Sequence, residues 1–221
     1  MDRLITITGN GRFSTRPDKI CISMSIKGEN KNYNEAMEIA DKKVLDLKAK
    51  LAENGFDEKK IYTNDLNVRA VNKYVESKLS GNRYVFDKYC ATHSIKIDFE
   101  YDTKKLAKCI DTIVDSVADP NFSISFEVEN EKPLKEKAME NAVQDAKRKA
   151  EVLAKSAGVK LGSLVRIDHS FSQINIYRPR TLNMEYDSVR AKSSASASLE
   201  GMNVEDLFVD ANVTVQWELK D

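Results

Sequence analysis

The chain has 221 residues, and 41% of them are hydrophobic, which is enough to bury one sizeable core or two small ones and excludes a wholly disordered protein. Lys plus Arg and Asp plus Glu both number 35, so the formal net charge is zero and no global field draws the chain to nucleic acid or to an anionic membrane. No apolar run approaches the roughly 20 residues that span a bilayer, which predicts a chain without a membrane span.

Two strands are predicted at the start of the chain. Leu4–Thr8 is rich in β-branched residues and ends at Gly9-Asn10-Gly11, where the glycines permit a bulge or a turn. After a turn at Pro17-Asp18, apolar and small polar residues alternate over 20–26. This period of two predicts a half-buried strand with Cys21 on its polar face.

The first amphipathic helix follows these strands. Asn32 with Glu35 three residues later is the pattern of a capping box, and Gly55 is typical of a residue that ends a helix. The apolar stripe between them consists of Ala36, Ala40, Val44, Leu47 and Leu51.

A long hairpin is predicted over 61–75 and 83–99, with Ser80-Gly81-Asn82 near its tip. The apolar residues change parity in both arms, after Ala70 in the first and after Phe86 in the second. Such a switch indicates a bulge or a twist that turns the far end of the hairpin onto a different surface.

Two further helices and a strand are predicted in the middle of the chain. Asp102 or Thr103 caps the second helix, in which Cys109 is interpreted as a packing residue. An alternating strand over 122–128 follows, and Pro133 then suits the first turn of a third helix. This helix carries alanine at every fourth position, at Ala138, Ala142, Ala146, Ala150 and Ala154.

The alanine stripe has a geometric consequence for packing. A spacing of four residues drifts about 40° per step around a helix, so the stripe predicts no single narrow buried face. It predicts instead a seam of small side chains that a twisted sheet or another helix approaches closely.

The C-terminal third of the chain is predicted to contain strands around an irregular segment. Gly158 ends the third helix, and Leu161–Tyr177 resumes a strand pattern. Residues 178–201 lose all periodicity, which predicts a flexible excursion that trypsin cuts first, at Arg180 or Arg190. An alternating strand over 209–217 closes the chain and needs a partner in a sheet already made.

The resulting order is ββαββαβαββ, which predicts an α+β fold with a largely antiparallel sheet system and three amphipathic helices. We interpret residues 1–221 as a single domain, with two intertwined α/β lobes as the alternative organisation.

Cysteine usage and the N-terminal segment bear on the cellular compartment. Cys21, Cys90 and Cys109 lie far apart without a CxxC pair, so we expect free thiols rather than a disulfide framework or a zinc finger. The first residues lack the basic and apolar regions of a secretory signal. A cytoplasmic protein is therefore expected, and the alternative is an exported protein whose leader has been removed.

The two histidines are the candidates for chemistry. His93 and His169 each lie in the apolar parity of their strand, so a buried, hydrogen-bonded imidazole is the first interpretation. The alternative is a metal or catalytic site that joins them with Cys90 or a carboxylate. The Gly9-Asn10-Gly11 segment lacks the third glycine and the helix of a dinucleotide fingerprint. Since no nucleophile elbow, HExxH helix or reactive-cysteine signature is present, we assign no catalytic, cofactor-binding or metal-binding residue and expect no enzyme.

Basic residues cluster around the irregular segment, at Arg178, Arg180, Arg190 and Lys192. Glu185 and Asp187 lie between them and favour a solvated loop over an anion-binding or partner-binding arm. Only Tyr177 and Tyr186 are available there to stack on bases, so no nucleic-acid partner is expected.

Several short motifs occur in an order and a spacing that are more specific than any one of them. They are Ile5-Thr6-Ile7-Thr8-Gly9-Asn10-Gly11 followed by Pro17-Asp18, then Ala36, Gly55 with Ile61-Tyr62-Thr63, and Ala138, Ala142, Asp145-Ala146, Lys149-Ala150, Leu153-Ala154 and Ala157-Gly158-Val159. Together they resemble the SIMPL domain family, a largely bacterial group of mostly unknown function. The resemblance covers nearly the whole chain.

The resemblance implies homo-oligomeric assembly, in some relatives as ring-like or channel-like particles, and no established catalytic residues. Relatives include an exported immunogenic protein and a protein linked to defence against oxidative stress. We therefore expect a non-enzymatic homo-oligomeric binding or scaffolding protein whose first partner is itself. The alternatives are a metal-binding protein or enzyme that uses His93 and His169, and an adaptor that binds peptides at an exposed sheet edge.

Overall fold

In the computed structural model, residues 3–76, 82–169, 174–184 and 203–221 are described. These residues form three helices, α1 (Tyr33–Glu53), α2 (Thr103–Val114) and α3 (Lys132–Ser156), and a short 3-10 helix at Glu58–Lys60. They also form the strands β1 (Leu4–Thr15), β2 (Lys19–Asn30), β3 (Ile61–Val75), β4 (Arg83–Glu100), β5 (Asn121–Glu127), β6 (Lys160–Asp168), β7 (Asn175–Tyr177), β8 (Leu182–Met184) and β9 (Leu207–Lys220). No helix within these ranges is long and apolar enough to cross a membrane.

The α+β class with antiparallel sheets is confirmed. The predicted element order is also found, except that the strand predicted over Leu161–Tyr177 contains two strands, β6 and the short β7, and that the short β8 is additional. Strands β7 and β8 are each only three residues long. A run of that length is too short to show a reliable period of two, so the sequence pattern does not resolve them.

The chain divides into two compact units. The first, here called the terminal unit, comprises Met1–Asp18, Glu127–Pro179 and Val204–Asp221. The second, the central unit, comprises Lys19–Phe126 and Arg180–Asn203. Both units contain a sheet and at least one long helix.

The terminal unit is a sheet with α3 packed on it. Its strand order is β1-β9-β6, all antiparallel, and β7 also pairs with β9. The buried inner faces of α3 and β9 form its core, which includes Ala142, Ala146, Val213, Val215 and Trp217.

The central unit is a five-stranded sheet in the order β3-β4-β2-β5-β8. Helix α1 contacts β2 and β4, and it buries Ala36 and Ala40 against Ala91 of β4. The N-caps are those predicted: Asn32 Oδ1 accepts from the N–H of Asn34 at 2.9 Å in α1, and Asp102 Oδ1 accepts from the N–H of Lys104 at 2.8 Å in α2.

The same βαββ arrangement occurs in each unit. In the central unit β2, α1, β3 and β4 follow one another, and β4 lies between the other two strands. In the terminal unit β1, α3, β6 and β9 occur in the equivalent order, with other elements between them along the chain, and β9 is the middle strand. In both, a glycine of the first strand lies against helix alanines, Gly28 against Ala36 and Ala40 and Gly11 against Ala138 and Ala142.

The expected bulge or turn at Gly9-Asn10-Gly11 is wrong. Strand β1 runs without interruption from Leu4 to Thr15 in continuous register with β9. A Cβ on Gly9 would lie 2.0 Å from the carbonyl oxygen of Ala142, and one on Gly11 would lie 2.0 Å from that of Ala138. The glycines are therefore there to let the helix backbone approach the strand, and no local bend requires them.

All five alanines of the α3 stripe are buried, so the seam is confirmed along its whole length. The stripe winds around the helix, yet neither of its ends is exposed. The reason is that α3 packs on a sheet and contacts β1, β9 and β6. The predicted ends of α1 and α3 are confirmed as well. Gly55 and Gly158 have φ of +86° and +74°, the left-handed conformation that glycine adopts without a steric cost.

The parity switch of the hairpin corresponds to a bulge. Val71 of β3 faces Lys88, but the next residue, Asn72, faces Phe86, so Asp87 is left without an opposite residue. The extra residue returns the side chains of Phe86 and Tyr89 to the same face of β4.

Cys21 lies in the polar parity of β2, as predicted, together with Lys19, Ser23 and Ser25, but it is not exposed there. Its side chain is buried, and so is that of Asp98, the residue opposite it on β4. The two faces of this part of the sheet are therefore both covered, a situation that the alternation in β2 alone does not reveal. Cys109 is buried as predicted, and burial raises the pKa of its thiol to about 12.

The predicted flexible excursion over 178–201 is only partly described. Residues 182–184 form β8, which pairs with β5 through Leu182 opposite Ile124 and Met184 opposite Phe122. The edge of β5 supplies the backbone partners that make a strand here despite the absent periodicity. Residues 185–201, with the predicted cleavage site at Arg190, lie outside the described residues.

Candidate functional site

His93 contacts a carboxylate of helix α1. Its Nε2 lies 2.8 Å from Oδ1 of Asp41, and the side chains are 10% and 51% exposed respectively. The helix positions Asp41 here because the preceding residue, Ala40, packs against the sheet. The imidazole is thus buried and hydrogen-bonded, as the first interpretation of the sequence predicts.

Of the residues in the predicted alternative site, Cys90 is not brought to His93, although the carboxylate of Asp41 is. Cys90 and His93 are three residues apart in a regular stretch of β4, so their side chains lie on opposite faces of the sheet. His169 follows β6 in the terminal unit, whereas His93 belongs to the central unit. Within the described ranges, no group of three or more His, Cys, Asp or Glu side chains is arranged to hold a metal ion.

The basic residues near the irregular segment have separate surroundings where they are described. Arg178 donates from Nη2 to Oε1 of Glu131 at 2.6 Å, a contact within the terminal unit. Arg180 is exposed. Arg190 and Lys192, as well as Glu185, Tyr186 and Asp187, lie outside the described residues.

A shallow depression of about 430 Å³ lies on the sheet of the central unit. Serine and asparagine side chains dominate its lining, with Ser23, Ser25, Asn64, Ser94, Asn121, Ser123 and Asn183 around Met24, Ile95 and Phe122. None of these side chains titrates near neutral pH, so the depression offers hydrogen bonds without an acid, a base or an activated nucleophile.

The outer edge of β1 is satisfied by side chains of α3. Asn141 Nδ2 donates to the carbonyl of Arg12 at 2.8 Å, and Lys149 Nζ donates to that of Thr8 at 3.3 Å. Between them, Asp145 Oδ2 accepts from the N–H of Asn10 at 3.0 Å. Because these α3 residues are spaced by four, they form one row beside the alanine stripe. Three backbone groups in the middle of the edge, which would otherwise be open to another strand, are therefore already bonded.

Asp145 is the centre of this row. The Asn10 N–H, followed by Lys149 and Arg148, stabilises its carboxylate and holds the pKa of Asp145 well below its ordinary value of 3.8. Lys149 Nζ and Arg148 Nη2 each lie 2.6 Å from a carboxylate oxygen. The carboxylate is therefore committed to the strand edge and is not poised for proton transfer.

The edge strand β6 is irregular rather than satisfied by side chains. Its register with β9 shifts between Leu161 and Leu164 and again between Leu164 and Arg166. Two irregularities within one short strand interrupt the straight row of backbone groups that a further strand needs.

In the described part of the chain, the middle of β3 is protected neither by side chains bonded to its outer backbone groups nor by an irregular register. Among the described residues it pairs only with β4, and the stretch Asp65–Val71 keeps a continuous register with that strand. Most of its side chains are exposed, including Leu66 at 43%. A long regular edge of this kind is a template for pairing with another chain.

The far end of the same hairpin exposes aromatic side chains. Tyr74, Tyr84 and Phe86 are exposed on the hairpin, and together with the half-buried Tyr89 and with Tyr33 of α1 they are here called the aromatic band. Tyr84 is 73% and Tyr74 is 51% exposed, and their ring centroids are 5.3 Å apart. Phe86 lies 5.0 Å from Tyr89, which in turn contacts Tyr33. Contiguous exposed aromatic groups are typical of an interaction surface.

Sequence reasoning did not identify the edge, the aromatic band or Asp41 as the partner of His93. The available signals were the parity switch, which predicted that the far end of the hairpin turns to another surface, and the position of Asp41 directly after a stripe alanine. The sequence also shows that Asp145 precedes Ala146 and that Lys149 precedes Ala150. It does not show that these two charged side chains bond the edge of β1.

A comparison with models of protein families identifies the family of the chain. The model of the SIMPL family, described as a protein of unknown function, matches residues 5–217. The match therefore includes residues of both units. No curated protein matches the chain at a significant level.

Proposed function

Because the chain belongs to the SIMPL family, we propose that it is a non-enzymatic homo-oligomer that serves as a binding or scaffolding protein. The observation that supports this proposal best is the long β3–β4 hairpin, with its unprotected edge and its exposed aromatic band. Association of copies through this hairpin would remove both from water.

The non-enzymatic part of the proposal draws on the candidate chemical groups. The imidazole of His93 is held by Asp41, and Cys90 is buried on the opposite face of β4. A nucleophile and its base need to lie within hydrogen-bond reach of each other, which this arrangement does not provide.

A role in stress defence is the more specific part of the proposal. It draws on the family resemblance, in which one relative is linked to oxidative-stress defence, and no side chain of this chain is assigned to it. We expect a strain without the gene to lose viability under peroxide and to regain it when the gene is restored. Equal survival of the deleted and restored strains would contradict this role.

The oligomer is tested by light scattering over a range of protein concentrations. We expect a mass above the 25.0 kDa of one chain, and we expect Tyr84→Glu to lower it because a charge enters the aromatic band. Leu45→Glu is the matched control, since Leu45 is 66% exposed on α1 and belongs to neither hairpin strand.

A mass of 25.0 kDa at every concentration would overturn the proposal. The peptide-binding adaptor would then be the better interpretation, because the free edge of β3 would remain available for an extended peptide.

A further inference from the structure

The middle of β3 has a charge pattern that is symmetric about one residue. Asp65 and Arg69 lie two positions on either side of Asn67, and all three are exposed. Val68 packs toward α1 in the cluster with Ala36 and Ala40, so the alternate residues face the other side of the sheet. Within the described part of the chain, Asp65 and Arg69 form no ion pair.

We propose that β3 pairs antiparallel with β3 of a second copy about a two-fold axis through Asn67, which extends the sheet across the two molecules. This register places Asp65 opposite Arg69 of the second copy, twice by symmetry. It also places Leu66 opposite Val68 on the other face. The inference rests on the proposed homo-oligomer and specifies the contact made by its β3 edge; the aromatic band, whose exposed hairpin residues lie beyond the paired stretch, is a separate surface of the same hairpin.

The charge pattern selects this register over its neighbours. With the axis at Val68, Asp65 faces Val71 and Arg69 faces Asn67, so both charges lose their partners. With the axis at Arg69, two arginines face each other with their Cα atoms about 5 Å apart, and like charges directly opposite are unfavourable. Only the axis at Asn67 pairs opposite charges within the regular stretch Asp65–Val71.

The other long edge strands favour the same choice. Three outer backbone groups of β1 are bonded to Asn141, Asp145 and Lys149, and the register of β6 is interrupted twice. A contact between two identical strands also closes on itself, because each copy contributes the same surface.

The first experiment reverses the charges. Asp65→Arg and Arg69→Asp alone each set like charges opposite one another at both ends of the contact, and we expect the dimer dissociation constant to rise about tenfold or more. The double variant Asp65→Arg/Arg69→Asp restores opposite charges and should regain wild-type affinity. Thermal unfolding of each variant at low concentration shows whether the protomer remains folded.

The second experiment locates the axis. Two copies of Asn67 face each other, about 5 Å apart between Cα atoms, so Asn67→Cys should form an intermolecular disulfide under mild oxidation. The three native cysteines are buried and do not compete. Asn72→Cys is the matched control: it is also exposed on β3, but its two copies lie about 34 Å apart in this register.

The outcomes separate this inference from the proposed function. A wild-type assembly that the single reversals weaken, the double variant restores and Asn67→Cys cross-links supports the register. An assembly unaffected by the reversals, or cross-linked equally well through Asn72→Cys, overturns the register and leaves the oligomer in place. A wild-type monomer at every concentration overturns both.

Discussion

Single side chains of α3 explain motifs that the sequence shows only as a pattern. Gly11 and Gly9 admit the helix backbone, and Asp145 then reaches the N–H of Asn10 between them. The motifs around Gly9 and around Asp145, which lie more than 130 positions apart, therefore belong to one contact. Sequence analysis identified both motifs, but local spacing carries no information on which distant strand a helix covers.

The Asp145 contact predicts a pH-dependent stability. Its pKa is lower in the folded chain than the ordinary 3.8, so its contribution is complete above that value and is lost as the pH falls below it. Asp145→Asn should lower the free energy of unfolding near neutral pH by up to about 1 kcal/mol, because solvent screens an ion pair at a strand edge. Denaturant titrations of both proteins should converge below pH 3.8.

The comparison with a neutral hydrogen bond provides the control for this interpretation. Asn141 makes its contact with the carbonyl of Arg12 without a charge, so the loss caused by Asn141→Ala should not fade through the same pH range. A constant difference between Asp145→Asn and wild type down to acid pH would contradict the assigned role of the carboxylate.

At the scale of elements, α1 and α3 were predictable because both have regular stripes and terminal glycines, with a side-chain N-cap in α1 and a proline in the first turn of α3. The bulge in the hairpin was predictable for the same reason, since the change of parity at Ala70 and Phe86 records it directly. The full length of β1 was not, because glycine in a strand indicates either a bulge or a close approach. Only the position of α3 decides between these two interpretations.

The seam between α3 and the sheet predicts sensitivity to side-chain volume. Ala146 is fully buried, and its Cβ lies near the position that a side chain on Gly9 would occupy. Ala146→Leu should lower the free energy of unfolding by about 1 to 3 kcal/mol, because the added atoms force the helix from the strand. Denaturant midpoints at a constant slope measure this loss.

The same helix offers a matched control for that substitution. Val152 is 55% exposed on α3, so the larger side chain of Val152→Leu extends into water and should leave the free energy of unfolding within about 0.5 kcal/mol of wild type. If both substitutions lowered the free energy of unfolding equally, the loss at Ala146 could not be attributed to tight packing in the seam.

At the scale of the molecule, the fold class and the family were predictable, since they depend on the order of elements and motifs along the chain. The pairing of β1 with β9 was less accessible, because it joins Leu4 to Glu218 and no local pattern selects one antiparallel partner over another. The edge of β3 was unpredictable for a similar reason. Its exposure depends on what the rest of the chain leaves uncovered.

The central position of β9 in its sheet has a consequence for how the chain acquires its structure. β1 is made first, yet its partner in the sheet is the last strand, so the terminal unit cannot complete its sheet until residues 207–220 have been synthesised. The βαββ part of the central unit is contiguous, and domains tend to form in order of synthesis. In refolding of the whole chain the larger sequence separation of β1 and β9 acts in the same direction, so we expect β2 and β4 amides to become protected from hydrogen exchange before those of β1 in pulse-labelled refolding. The waiting strand β1, rich in β-branched residues, is then the segment through which a delayed chain would aggregate.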